Sequence, residues 1–345
     1  MNPGMLGLPG FSPEVAAGPW GNAAIPIRAV CNGTQLVISA RSRDGGMLGS
    51  NGPAVVMFPN ADPSIGDYKP KTIVQPVPPI VIASGSTMGF SNNVTGRLWV
   101  LLVDGLSGPC LAVVNCLSGT TATYPLRADG LISTLALSGG ASAALQPYAA
   151  AATTGRPCII LGYFTWETAL ATAGTWNANP GICRLYGPGV PLPGTRVQLV
   201  PDYRRLTANG TTTMGATSTL PTISTGTGFF SAAITPTSKA SVLEHDAFAM
   251  FSTNGGNDYV SMALFQDSTT NALAASATGL ASATGSTNAF LQHRMQSNTL
   301  ASTTFNVRAG TTGAATTSLN WSVGSTAQAF GGVASSLYTV TEIMG

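Results

Sequence analysis

The sequence predicts an all-β protein of two β-sandwich-type domains, the C-terminal one jelly-roll-like, preceded by an extended N-terminal arm. Three observations lead there. Only 8% of the 345 residues are charged, against about 25% in an average soluble protein, and the Glu, Lys and Arg that usually clothe helix surfaces are correspondingly scarce. The 41 Gly and 23 Pro, with abundant Thr and Val, mark short strands joined by turns. Apolar residues reach 44%, enough for real cores, so the richness in Ser, Thr and Asn does not mean disorder. A chain of this length suggests two domains on the usual prior of roughly 100–200 residues each.

Residues 1–20 are punctuated by Gly and Pro, with Met5, Leu6, Leu8 and Phe11 as apolar beads. Such a stretch reads as an extended arm that anchors on a neighbouring protein through those four side chains, or as an unfolded terminus. It has neither a basic start nor a continuous apolar core, so it is not expected to be a signal peptide.

Residues 21–195 form the first β-rich region. "TQLVISAR" alternates, with Leu36 and Ile38 on one face. "GRLWVLLVDG" is apolar on both faces, as a strand in the middle of a packed sheet should be. Asp104-Gly105 supplies turn chemistry before "PCLAVVNC", and "CIILGYF" follows as a third apolar strand. The Ala-rich stretch 133–155 predicts a short helix ended by Pro147. Dense Gly and Pro, then Thr and Gly, place a linker at 196–215. In 216–345 alternation is cleanest. "STTFNVRAG" sets Phe305, Val307 and Ala309 on one face, and "SLYTVTEIMG" sets Tyr338, Val340 and Met344 on one side. About eight short strands in this stretch, with turns every 8–12 residues, suit a jelly-roll-like sandwich.

Charge excludes several functions. A net charge of +2 gives little pull toward phosphate, and the small clusters Lys69/Lys71 and Arg204/Arg205 lack interleaved aromatics. No nucleic-acid partner is expected. No apolar run approaches the length of a membrane span, so no membrane insertion is expected. Weakly charged surfaces make poor free-floating monomers, which points to self-association. Cys31, Cys110, Cys116, Cys158 and Cys183 read as buried free thiols, which suits assembly in a reducing cytoplasm. Cys110 and Cys116 flank a strand about 20 Å long at roughly 3.3 Å per residue, too far apart for a disulfide.

The best local candidate for chemistry is "EHD". In a strand, Glu244 and Asp246 share one face and His245 takes the other. Paired carboxylates can cut glycans or bind a cation, but a polar patch on an exposed strand is the preferred reading. His293 lies in a separate strand beside Arg294 and reads as a packed histidine. No nucleophile elbow, H-E-x-x-H or P-loop occurs, so no catalytic residue, cofactor or metal is expected. Trp176 and Trp321 are candidates for stacking on glycans, whereas Trp99 belongs to a core strand. In "VSMALFQDSTTNALAA", Asp267 reads as the corner of a hairpin.

Several of these stretches, taken together, resemble a known family. "ASGSTMGFSNNVTGRLWVLLVDG", "CLAVVN" and "ATAGTWNANPG" are similar to a domain recurrent in tail fibres of tailed bacteriophages. "ITPTSKAS", "ALFQDSTTNALA", "HRMQSNTLASTTFNVRAG" and "FGGVASSLYTVTEI" resemble a module that often ends fibre proteins. The resemblance implies a virion protein assembled in the host cytoplasm, a short homotrimeric tail fibre or fibre-base subunit. Its partners would be other virion proteins and a host surface glycan or protein. A head fibre or capsid decoration protein is the close alternative, and a glycan-degrading tailspike the lower one. The chain lacks the long shaft or repeats of many such fibres.

Overall fold

A computed structural model describes residues 14–15 (backbone pairing alone), 25–255, 259–280, 285–313, 315–321 and 327–345. Two compact units divide the chain, Met1–Gly194 with Gly345, and Thr195–Met344. Among the described residues the regular structure is strand, apart from one 3-10 turn at Ala329–Gly332. The protein is all-β, as its composition requires.

The first unit is built around Gly96–Gly105, in which every residue except Asp104 is buried. It forms a hairpin with Gly108–Val114, Gly105 opposite Gly108, and pairs on its other edge with Thr153–Trp166. The six-stranded sheet runs Asp129–Ala136, Tyr148–Ala149, Gly108–Val114, Gly96–Gly105, Thr153–Trp166, Ile182–Leu185. Asp129–Ala136 also pairs with Thr153–Trp166, which closes five of the strands into a ring. This geometry explains a strand that is apolar on both faces. Leu98, Val100 and Leu102 join Leu36, Ile38, Val56, Phe58 and Ile82 in one core, the latter contributed by two small three-stranded sheets. Trp99, Leu101 and Val103 alternate to the ring side, where Trp99 lies 4.8 Å from Tyr163. Gly162 sits where the register slips against Gly96–Gly105. The Arg184 carbonyl occupies the space a Cβ would need there, so this bulge requires glycine.

The helix expected in 133–155 is not formed. Its first residues complete the strand Asp129–Ala136, and Tyr148–Ala149 pairs beside that strand. Gly139-Gly140 and Pro147 leave a window of a few residues between them, too short to nucleate a helix. The backbone there bonds to neighbours instead: Met88 N–H donates to Ala141, and Leu145 N–H donates to Asn115. Leu145 itself takes φ +63°.

The second unit is a two-sheet sandwich. One sheet runs Arg196–Arg204, Ser336–Ile343, Val242–Thr253, Thr317–Leu319, Ala208–Gly210, with Ser286–Gln296 also paired to Val242–Thr253. The other runs Thr227–Ile234, Thr303–Thr311, Tyr259–Gln266, Ala274–Gly279. Their facing sides share one core of Phe230, Phe251, Met262, Leu264, Leu291, Phe305, Val307, Tyr338 and Val340. Phe305, Val307 and Ala309 all point inward, as their alternation required.

The linker expected at 196–215 is also overturned, because it supplies two strands of this sandwich. Arg196–Arg204 pairs along Ser336–Ile343, and Ala208–Gly210 pairs with Thr317–Leu319. Dense punctuation by Gly and Pro ends at Gly194, and "TRVQLVPDYR" then runs as a strand with Pro201 alone interrupting it. Pro201 is tolerated because its strand lies at the sheet edge, where a missing N–H breaks no ladder.

Phe305 is fully buried, so Phe305→Ala should destabilise the second unit by about 3–5 kcal/mol. Urea denaturation should show the loss, while Leu131→Ala, on the surface of the first unit, should change stability by less than about 0.5 kcal/mol.

Candidate functional site

The strand Val242–Thr253 positions the candidate chemistry. Its inner row is Leu243, His245, Ala247, Ala249 and Phe251, all buried, which leaves Glu244, Asp246, Phe248 and Met250 on the outer face. The acidic pair and the histidine therefore separate as strand geometry predicts. His245 Nδ1 meets the Tyr338 hydroxyl at 2.9 Å, and its ring lies 4.4 Å from Phe305 and 6.0 Å from His293. Its Nε2 has no hydrogen-bond partner. Burial, with the neighbouring His293, lowers the His245 pKa to about 3, and burial also lowers that of His293. Both rings are neutral near pH 7. Among the described residues no three His, Cys, Asp or Glu side chains gather to hold a metal ion.

On the outer face, Glu244 pairs with Arg294 directly opposite it on Ser286–Gln296. Gln292 Nε2 donates to Asp246 Oδ1 at 2.9 Å. These four residues, with the two histidine positions between them, line an open depression of about 450 Å³. One step along the strands, register sets Tyr203, Leu337, Phe248 and Phe290 abreast on four adjacent strands. Tyr203, Phe248 and Phe290 are 52%, 36% and 60% exposed, and the two phenylalanine rings are 5.0 Å apart. Sequence reading missed this row. The parity that put Glu244 and Asp246 outward also puts Phe248 there, and the same holds for Phe290 with Gln292 and Arg294.

Trp176, a glycan-stacking candidate by sequence, has no exposed surface. It packs 5.7 Å from Phe90 and 5.6 Å from Trp166, so it is a core residue and cannot receive a sugar. Its backbone takes φ +49°. Trp321 is half-buried, with its indole nitrogen covered. Met5, Leu6, Leu8 and Phe11 lie outside the described residues. Within the arm, Glu14–Val15 pairs in parallel with Ala54–Val55.

Asp267 is the hairpin corner read from sequence. It takes φ +49° between Tyr259–Gln266 and Ala274–Gly279. Its carboxylate accepts from the Thr303 hydroxyl at 2.8 Å and the Thr304 N–H at 2.7 Å, which ties the corner to the next strand. Glu342 was not foreseen. It shares the inner parity of Tyr338 and Val340 and is fully buried. There it accepts from Gln198 Nε2 at 2.6 Å and from the Thr237 N–H and hydroxyl at 2.8 and 2.7 Å. The five cysteines are free, but of the five expected buried only Cys116 and Cys158 are; Cys31 and Cys110 are half-buried and Cys183 is exposed, on an edge strand of its sheet. Burial raises every thiol, Cys31 to about 11 and Cys158 to about 12, so none is poised as a nucleophile.

No protein-family model matches the chain, and no curated protein matches it. Superposition on solved structures finds the infectious bursal disease virus VP2 subviral particle at 10% identity, over 94% of this chain and 74% of that one, with a TM-score of 0.23. The Gx strain of the same virus matches at 10% identity over 92% and 77%, TM-score 0.26. The Gt strain matches at 11% over 92% and 75%, TM-score 0.23. Likeness at these TM-scores assigns neither topology nor role.

Two outcomes follow from the buried groups. His245 has a folded pKa below its ordinary value of 6.5, so its contribution to stability is complete above that pH and is lost as pH falls toward the folded value. Thermal or urea unfolding should therefore show roughly 2 kcal/mol lost between pH 6.5 and 5, and His245→Gln should flatten that slope. Native protein treated with a thiol reagent should label exposed Cys183 first, while Cys116 and Cys158 react only on unfolding.

Proposed function

We propose that this chain is a structural, non-catalytic protein of a tailed-bacteriophage particle, a short homotrimeric tail fibre or fibre-base subunit. The observation that carries the reading is the strand-and-turn pattern, which over most of the chain resembles that of fibre modules. Its pieces fall on paired strands of two β units: "GRLWVLLVDG" at the centre of the first sheet, "FNVRAG" and "SLYTVTEI" in the two sheets of the sandwich. The groups that resembled chemistry are engaged in holding strands together: Glu244 with Arg294, Asp246 with Gln292, His245 with Tyr338. A surface covered by Ser and Thr with little net charge favours burial between copies.

Sedimentation equilibrium of the purified chain should return three times its monomer mass. Antibody labelling should place the protein on particle tails. Label on the head would shift the assignment to a head fibre or decoration protein. A stable lone subunit would overturn the trimer, and oligosaccharide released from host polysaccharide would overturn the non-catalytic reading.

A further inference from the structure

The chain has two histidines, and the fold makes them register partners. His245 on Val242–Thr253 stands directly opposite His293 on Ser286–Gln296. Paired residues on antiparallel strands carry their Cβ atoms about 4.5–5.5 Å apart on one face of the sheet. The two rings lie 6.0 Å apart, centre to centre, and within 28° of parallel. His245 is 1% exposed. Its Nδ1 is engaged by the Tyr338 hydroxyl at 2.9 Å, and its covered Nε2 has no hydrogen-bond partner. His293 forms no hydrogen bond or ion pair among the described residues. A buried polar atom left unpaired lowers stability. Packing does not require one here, because Leu243, Ala247 and Phe251 fill the neighbouring inner positions with apolar side chains.

We propose that His245 and His293 together bind a divalent transition-metal ion of the Zn²⁺, Ni²⁺ and Cu²⁺ group, with water in the remaining positions. A metal bound about 2.0–2.1 Å from one nitrogen of each ring sets the ring centres roughly 5–6.5 Å apart, the range in which these two stand. Tyr338 engages Nδ1 and so orients the His245 ring, as the second partner of a ligating histidine usually does. A metal takes the neutral imidazole, and both rings are neutral near pH 7.

The surroundings favour such an ion. His293 is half-buried, on a strand whose one ladder among the described residues is with Val242–Thr253, and this leaves water and ion a way in. Glu244–Arg294 and Asp246–Gln292 pair across the same two strands on either side of the histidines, on the opposite face of the sheet. They hold the register that sets the two rings abreast. Imidazole nitrogen suits Zn²⁺, Ni²⁺ and Cu²⁺, whereas Mg²⁺ and Ca²⁺ require oxygen ligands that the pair does not offer. Two protein ligands make a weaker and more exchangeable site than a four-ligand structural centre. A bound ion pins the edge strand Ser286–Gln296 to its neighbour. The site stands on this geometry whether or not the chain belongs to a phage particle.

Untagged full chain, its reactive thiols first alkylated, should be titrated with Zn²⁺ by calorimetry and by proton–nitrogen correlation spectra of the imidazole rings, to which two histidines alone contribute. One ion per chain is expected, with a micromolar Kd and a shifted nitrogen signal from each ring. His245→Gln and His293→Gln should each weaken binding about tenfold or more. Asp246→Asn should leave it unchanged, because that carboxylate lies on the other face. His293 is the less buried of the pair, so His293→Gln tests the site even where His245→Gln disturbs folding. The site is refuted if Zn²⁺ binds only at millimolar concentration, if His293→Gln binds like the parent, or if binding leaves the ring signals in place. Loss of binding in Asp246→Asn also refutes it, because the carboxylates of the outer face would then be the ligands. None of these outcomes alters the location of the protein on particles.

Discussion

The register of Val242–Thr253 governs the second unit. This strand pairs over eleven positions with Ser286–Gln296 on one edge, and with Ser336–Ile343 and Thr317–Leu319 on the other. A slip of one residue would exchange its faces. Leu243, Ala247 and Phe251 would leave the core, and Glu244 and Asp246 would enter it without partners. Burying an unpaired carboxylate costs several kcal/mol, so the wrong register is excluded by electrostatics as well as by lost apolar burial. The same alternation decides that Phe248 faces outward, and hence that an aromatic row exists on the outer face.

Scarcity of charge shapes how the remaining polar groups are satisfied. Hydroxyls, carboxamides and a few buried ions bond locally to backbone, and this joins neighbouring strands at their ends. Asp267 reaches Thr303 and Thr304, Asn320 reaches the Arg204 carbonyl, and Glu342 bridges Gln198 and Thr237. Arg97 is the extreme case. It is buried in the first unit, with Nε donating to the Thr165 hydroxyl at 3.0 Å and its guanidinium 4.5 Å above the Tyr163 ring. A buried cation needs such partners to offset its lost hydration. These groups tie strands to one another.

A division of labour among aromatics follows. Phe90, Trp166 and Trp176 interlock inside the first unit, where large rings give the most apolar contact per residue. The rings most exposed among the described residues, Tyr203, Phe248, Tyr259, Phe290 and Phe330, are smaller and lie in the second unit, three of them abreast on strands of one sheet. Tryptophan content alone is no guide to ligand contact, because size favours burial at least as strongly as it favours stacking, and Trp176 is fully buried.

The sequence by itself determined the all-β class, the two-sided burial of Gly96–Gly105, the inward faces of Phe305 and Tyr338, the separation of Glu244 and Asp246 from His245, and the corner at Asp267. Each follows from a period of two residues or from the chemistry of a turn, both of which are local. Tertiary structure alone decided the rest. Whether 141–146 became helix depended on partners at Met88 and Asn115, distant in sequence. The strand Arg196–Arg204 was recognisable only beside Ser336–Ile343, because an edge strand tolerates the proline that argued against it. Trp176 was buried by Phe90 and Trp166, and the aromatic row arose from the alignment of four strands spread over more than a hundred residues of chain. Parity can be read along one strand, but adjacency between strands is fixed only when the sheet has formed.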